Sequence, residues 1–214
     1  MAWFDPVDGY CERLGPEYWA EPANAASNAA FLLVAAVMWS RTRGIPVARA
    51  MVVVLAVIGV GSYLFHTHAN RLTGLLDVVP IVAFIMLYVF AASRDMLGMP
   101  ARLAGLVTLG FIPYSAVMVP LFGLIPGIGS SAGYAPVPLL ILIYAAVLRA
   151  SAPATARGLA LGAGVLTLSL LLRTLDGPLC GVLPVGTHFA WHILNALMLG
   201  GMIEVYRRHH AMRG

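Results

Sequence analysis

Seven stretches of the chain are apolar almost without interruption: residues 25–40, 48–65, 75–92, 103–119, 134–148, 159–172 and 188–206. A helix that crosses the hydrocarbon core of a bilayer needs about 20 mainly apolar residues, roughly 17–25. Each run therefore predicts one membrane-spanning helix, with ends good to a few residues. Gly and Pro recur inside the runs, as at Pro113, Pro136 and Pro138. Membrane helices tolerate them because neighbouring groups re-satisfy the freed backbone. The weakest boundary lies between runs four and five, where the uncharged, Gly/Pro-rich segment 121–135 is also consistent with a dip into the membrane.

Composition agrees with that pattern. Of 214 residues, 60% are hydrophobic and 10% charged, against about a quarter charged in a soluble domain. Seven spans leave no room for a separate soluble domain. The expected fold is an all-α integral membrane protein, a seven-transmembrane-helix bundle. Residues 1–24 form an acidic extracytoplasmic segment with Asp5, Asp8, Glu12, Glu17 and Glu21, residues 25–206 the helical domain, and 207–214 a basic cytoplasmic tail. The first residues carry no basic n-region or cleavage site, so the first apolar run is expected to act as the insertion signal.

The net charge of +4 comes from 13 arginines and no lysine. The arginines sit in short gaps between apolar runs instead of clustering on one face, which argues against nucleic-acid binding. Without lysine there is no Schiff base, which excludes a retinal-type pump. Ten arginines follow runs one, three, five and seven, and three (Arg13, Arg71, Arg173) lie at the opposite end. That bias predicts a cytoplasmic C-terminus and an outer N-terminus, which an odd number of spans also requires. The Arg/Ala-rich, lysine-free composition suggests a GC-rich bacterial genome, and so a multi-pass protein of a bacterial cytoplasmic membrane.

An ionisable side chain inside a span costs roughly 2.5–3.5 kcal/mol on insertion scales and marks a functional candidate. His66 closes run two, Asp77 opens run three, and His188 and His192 open run seven, all four at the same predicted outer depth. His188 and His192, four apart, share a helix face. Ser62 and His66 have the same spacing, although a small residue after Gly59 and Gly61 also serves close helix packing. His68 is expected in the following loop. Residues 70–74 read as a tight turn returning run three beside run two, which would set Asp77 opposite His66. An acid at a helix start also has a plain dipole role.

Three neutral histidines with an open fourth position are the catalytic arrangement for zinc, which lowers the pKa of bound water toward ~7. A carboxylate nearby can move the proton, and a hydroxyl can support a developing oxyanion. Asp77 and Ser62 are the candidates for those catalytic roles. Cys11 and Cys180 both fall on the outer side, where a disulfide is chemically favoured; two buried free thiols are the alternative.

The chain resembles the alkaline ceramidase family, part of a wider group of seven-span metal hydrolases that includes the adiponectin receptors. Three blocks carry the resemblance: Asp8-Gly-Tyr-Cys-Glu12 with Ala20-Glu-Pro-Ala-Asn-Ala-Ala-Ser-Asn28; Gly61-Ser-Tyr-Leu-Phe-His66 with Asp77-Val-Val-Pro80; and Asp176 and Cys180 with His188-Phe-Ala-Trp-His192. It implies zinc on His66, His188 and His192, catalysis by Ser62 and Asp77, and a Cys11–Cys180 bridge. It also implies calcium held by Asp8, Glu12, Glu21 and a main-chain oxygen near Tyr10. The chain departs from the family there: an extra residue separates Asp8 from Cys11, Leu14 replaces an asparagine ligand, and Glu21 is closer in sequence.

The expected activity is hydrolysis of the amide of a ceramide-like membrane lipid to a fatty acid and a sphingoid-type base. A different lipid amide or an ester, and a lipid receptor with a structural zinc, stand as alternatives. A transporter is disfavoured because the polar groups sit at one depth.

Overall fold

A computed structural model of the chain describes residues 3–7 and 9–212. These residues form eight α-helices: α1 (Pro22–Ser27), α2 (Ala29–Arg41), α3 (Pro46–His68), α4 (Arg71–Ala91), α5 (Ala101–Gly123), α6 (Pro136–Leu148), α7 (Pro153–Leu179) and α8 (His188–Ala211). A π-helical turn, Ala92–Met96, prolongs α4, and a 3-10 turn, Gly129–Gly133, leads into α6. With α1 and α2 forming one span, seven helical segments among the described residues are long and apolar enough to cross a membrane. All seven predicted runs are present.

Most helices outrun the apolar stretches that announced them. Pro46 and Pro153 stand in the first turns of α3 and α7, where a missing N–H costs nothing, so those helices begin before their apolar runs. The turn expected over residues 70–74 is tighter than its sequence suggested. Ala69 adopts a left-handed conformation (φ 40°), and Asn70 starts α4 at once by a reciprocal capping box with Thr73. His68 is thus the last residue of α3 and not a loop residue, and Asp77 lies in the second turn of α4 and not at its start. At the other end α8 continues to Ala211, so 207–211 is helix where a tail was expected; Arg213 lies outside the described residues. The segment 121–135 resolves into the end of α5, a connection and the 3-10 turn.

α3 packs between α2 and α4, α4 against α5, α6 against α7 and α7 against α8, and α8 returns onto α2 and α3 to close the bundle. Met51, Leu55 and Ile58 of α3, Phe31 of α2, Leu159 of α7 and Ile203 of α8 are buried in the core, while large apolar residues such as Leu33, Leu106 and Leu161 face outward. The N-terminal segment is strapped over the α3–α4 turn: Val7 N donates to Ala69 O at 2.8 Å, Leu72 N to Trp3 O at 3.0 Å and Arg71 N to Asp5 O at 3.2 Å. This strap brings polar residues from early in the sequence to the end of the bundle that carries the histidines.

Candidate metal centre

His66 lies in the last turn of α3, His188 is the first residue of α8, and His192 follows one turn later. All three are buried, and one ring nitrogen from each lies within 4.8 Å of the others. This is the only such group of His, Cys, Asp or Glu among the described residues. The ring centroids are 4.5–5.1 Å apart.

The surroundings fix which nitrogens face inward. His66 Nδ1–H donates to Glu21 Oε2 at 2.5 Å, and an ionised carboxylate can only accept. Burial pushes the Glu21 carboxyl up. Hydrogen bonds from His66, Asn24 and Arg13 outweigh burial and hold it below its ordinary value. For His192, the Ser27 hydroxyl donates to Asn24 O at 2.8 Å, leaving Oγ to accept from His192 Nδ1–H at 2.7 Å. Both rings are therefore tautomers with a lone pair on Nε2. His66 Nε2 and His188 Nδ1 are buried with no hydrogen-bond partner among the described residues. Orphaned buried nitrogens are costly, and a cation on the His66 Nε2 lone pair would relieve that cost. Three neutral imidazoles suit zinc and are poor ligands for calcium or magnesium. The donor set fits a zinc-like ion.

Ser62 and Asp77 stand beside this cluster. The Ser62 side chain is buried, one helical turn before His66. The half-buried Asp77 carboxyl interacts with the Ser62 hydroxyl and lies within electrostatic reach of His66 and Arg173. The helices meet this closely because of Gly61: a Cβ there would strike the carbonyl of Leu76. Asp77 thus comes within electrostatic reach of His66 from the neighbouring helix.

Further residues complete the site, and among them Asp176 and Arg173 had no role assigned from the sequence. Asp176 of α7 accepts from Cys11 N at 2.9 Å, Thr187 N at 2.7 Å and His188 N at 2.9 Å, placing an anion at the start of α8, where the helix dipole favours it. The apolar pattern of run six ended before Asp176, although α7 carries it. Cys11 and Cys180 form a disulfide, tying the N-terminal segment to the end of α7. Tyr10 stacks on His188 with ring centroids 3.8 Å apart. Burial raises its phenol above the ordinary value, against the pull of Arg173. Arg173 reaches Tyr10 Oη at 3.4 Å and lies near the Tyr134 and Trp191 rings.

The residues expected to hold calcium have other partners. Glu12 accepts from Ala23 N at 2.7 Å and Asn24 N at 2.8 Å, closing the start of α1. Tyr10 O accepts from Arg13 N at 3.2 Å. The Glu21 oxygens are occupied by Arg13 on one side and by His66 and Asn24 on the other. Asp8 lies outside the described residues. The described donor set does not fit a calcium ion, which asks for 6–8 oxygen ligands.

Fold and site together define a multi-span helical protein with a buried three-histidine group able to bind a metal ion. No protein-family model matches the chain, and no curated protein matches it.

Proposed function

We propose that this chain is a membrane-embedded, metal-dependent hydrolase of a lipid amide, ceramide-like in its chemistry, as its resemblance to the alkaline ceramidases implies. One observation carries the reading: three buried imidazoles, each offering a ring nitrogen within 4.8 Å of the others, stand next to a carboxylate and a hydroxyl on adjacent helices. A purely structural cluster has no use for that neighbouring pair.

Zinc held by His66, His188 and His192 would supply a Lewis acid and activate water at neutral pH. Glu21 and Ser27 keep the His66 and His192 rings in the required tautomers. Asp77 accepts a proton from the attacking water and returns it to the leaving nitrogen, so amide and water become carboxylic acid and amine. The Ser62 hydroxyl donates to the carbonyl oxygen as negative charge grows there. An apolar cavity lined by Ile81, Phe84, Leu166, Trp191 and Met198 begins one turn below Asp77 and receives the acyl chain. In the proposed orientation the histidine end faces outward, which the Cys11–Cys180 bridge supports, because disulfides persist in oxidising compartments.

The test pairs metal content with turnover. Purified protein is expected to carry near one zinc per chain, lost in a His188→Ala/His192→Ala variant. Asp77→Asn should keep the zinc and lose hydrolysis of a labelled lipid amide by at least about 100-fold, the lower end of what a positioned acid–base group contributes. An active Asp77→Asn protein would sink the assignment of the proton carrier, and a zinc-free wild type would sink the metal centre itself.

A further inference from the structure

Arg13 is a buried arginine at a point where the mechanism needs no charge; its exposure is 8%. Its guanidinium donates to three acceptors from three parts of the chain: Nε to Glu21 Oε1 at 2.5 Å, Nη1 to Gly15 O at 3.1 Å and Nη2 to His66 O at 2.9 Å. Glu21 in turn receives His66 Nδ1–H at 2.5 Å. The three residues form a closed ring in which His66 is gripped twice, at its imidazole through Glu21 and at its main chain by Arg13 directly. A planar guanidinium has the fixed fork geometry to make such divergent bonds, and a lysine does not. The oxygens it gathers, one carboxylate and two carbonyls, are the types an oxygen-ligated divalent cation would use. Its charge neutralises Glu21, and the Glu12 carboxylate is turned away onto the amides of α1.

We propose that Arg13 is a positioning residue of the metal centre: a built-in cation that locks the Glu21–His66 couple and takes the place of a second, oxygen-ligated metal ion in the N-terminal segment. This rests on the reading of the three histidines as a metal site. The carboxylate that orients a ligating histidine strengthens metal binding by holding the ring in place, and Arg13 acts one bond further out by holding that carboxylate. A mere tether for the N-terminal segment would affect unfolding but not metal affinity.

The experiment measures zinc affinity by chelator competition, metal content and thermal unfolding on the full-length, detergent-purified protein. Wild type, Arg13→Ala, Arg13→Lys, Glu21→Gln and the Arg13→Ala/Glu21→Gln double variant are compared. Arg13→Ala and Glu21→Gln should each weaken zinc binding by about 10–100-fold. The double variant should lose less than the sum of the two single losses, because both changes break one closed network of contacts. Arg13→Lys, with the charge but without the fork, should fall between wild type and Arg13→Ala; if Arg13→Ala does not fold, weakened zinc binding by Arg13→Lys decides the point. Added calcium should change neither zinc affinity nor unfolding of the wild type. Unchanged zinc affinity in the folded Arg13 variants, additive losses in the double variant, or one bound calcium per wild-type chain would each overturn the proposal while leaving the zinc site standing. A wild type that binds no zinc would overturn the metal reading and this proposal with it.

Discussion

Ser27 is the plainest case of a residue whose importance lies in what it does to another. Its hydroxyl accepts His192 Nδ1–H at 2.7 Å because its own proton is committed to Asn24 O. Removing the hydroxyl frees the imidazole to rotate or to change tautomer, while an alanine fits a helix readily. Ser27→Ala is therefore expected to lower zinc affinity by about tenfold, the lower end for such outer partners, with little change in thermal unfolding. Chelator competition would measure it, and wild-type affinity would show that Ser27 does not set the tautomer. The histidines themselves were legible because an ionisable group inside an apolar run stands out against its background. Ser27, Glu21 and Arg13 were not, since their roles depend on an N-terminal segment folding back onto α3 and α8, and nothing local in the sequence encodes that contact. Glu21 drew attention as an acid and was assigned to calcium. Its partner turned out to be a histidine 45 positions away.

At the scale of helices, the apolar pattern gave the number and order of spans, and turn chemistry set their ends. Pro46, Pro153 and the Asn70–Thr73 capping box extend α3, α7 and α4 beyond the apolar stretches. The π-helical turn at Ala92–Met96 had no counterpart in the pattern, because apolar periodicity does not distinguish a locally widened helix from a regular one. The α3–α4 contact shows how an element-level detail governs the site. Gly61 lets α3 approach the α4 backbone at Leu76, one residue from Asp77, and so sets the gap between Asp77 and Ser62. Gly61→Ala should push the helices apart at a cost of roughly 1–3 kcal/mol, as overpacking does, and turnover should fall because the carboxyl retreats from His66. Gly110→Ala in α5 is the control, since a Cβ there meets nothing within 4 Å. Equal melting temperatures for the two variants would show that the close approach at Gly61 carries no weight.

For the whole molecule, the disulfide and the arginine asymmetry make one joint prediction. Cys11 and Cys180, 169 residues apart in sequence, close the N-terminal segment over the histidine end. Arg41, Arg94, Arg102, Arg149, Arg207 and Arg208 flank the opposite ends of their helices. In the proposed orientation, which follows the positive-inside bias, that opposite end would be cytoplasmic and the disulfide would face the oxidising side. A membrane-impermeant reductant followed by an impermeant thiol label should therefore modify both cysteines in intact cells, and a fluorescent reporter fused after the C-terminus should be active in the cytoplasm. Labelling only after lysis would reverse the proposed orientation and, with it, the argument that the histidine site opens outward. Reduction should also lower thermal stability. The chain-entropy term for so long a loop approaches about 5 kcal/mol as an upper bound, and spans held in a bilayer restrict the unfolded chain already, so the measured loss should be smaller. Because the bridge holds Cys11 beside Asp176, and Asp176 caps the helix that begins with His188, zinc affinity should drop on reduction together with stability. A protein that melts lower but binds zinc as before would separate the strap from the metal centre.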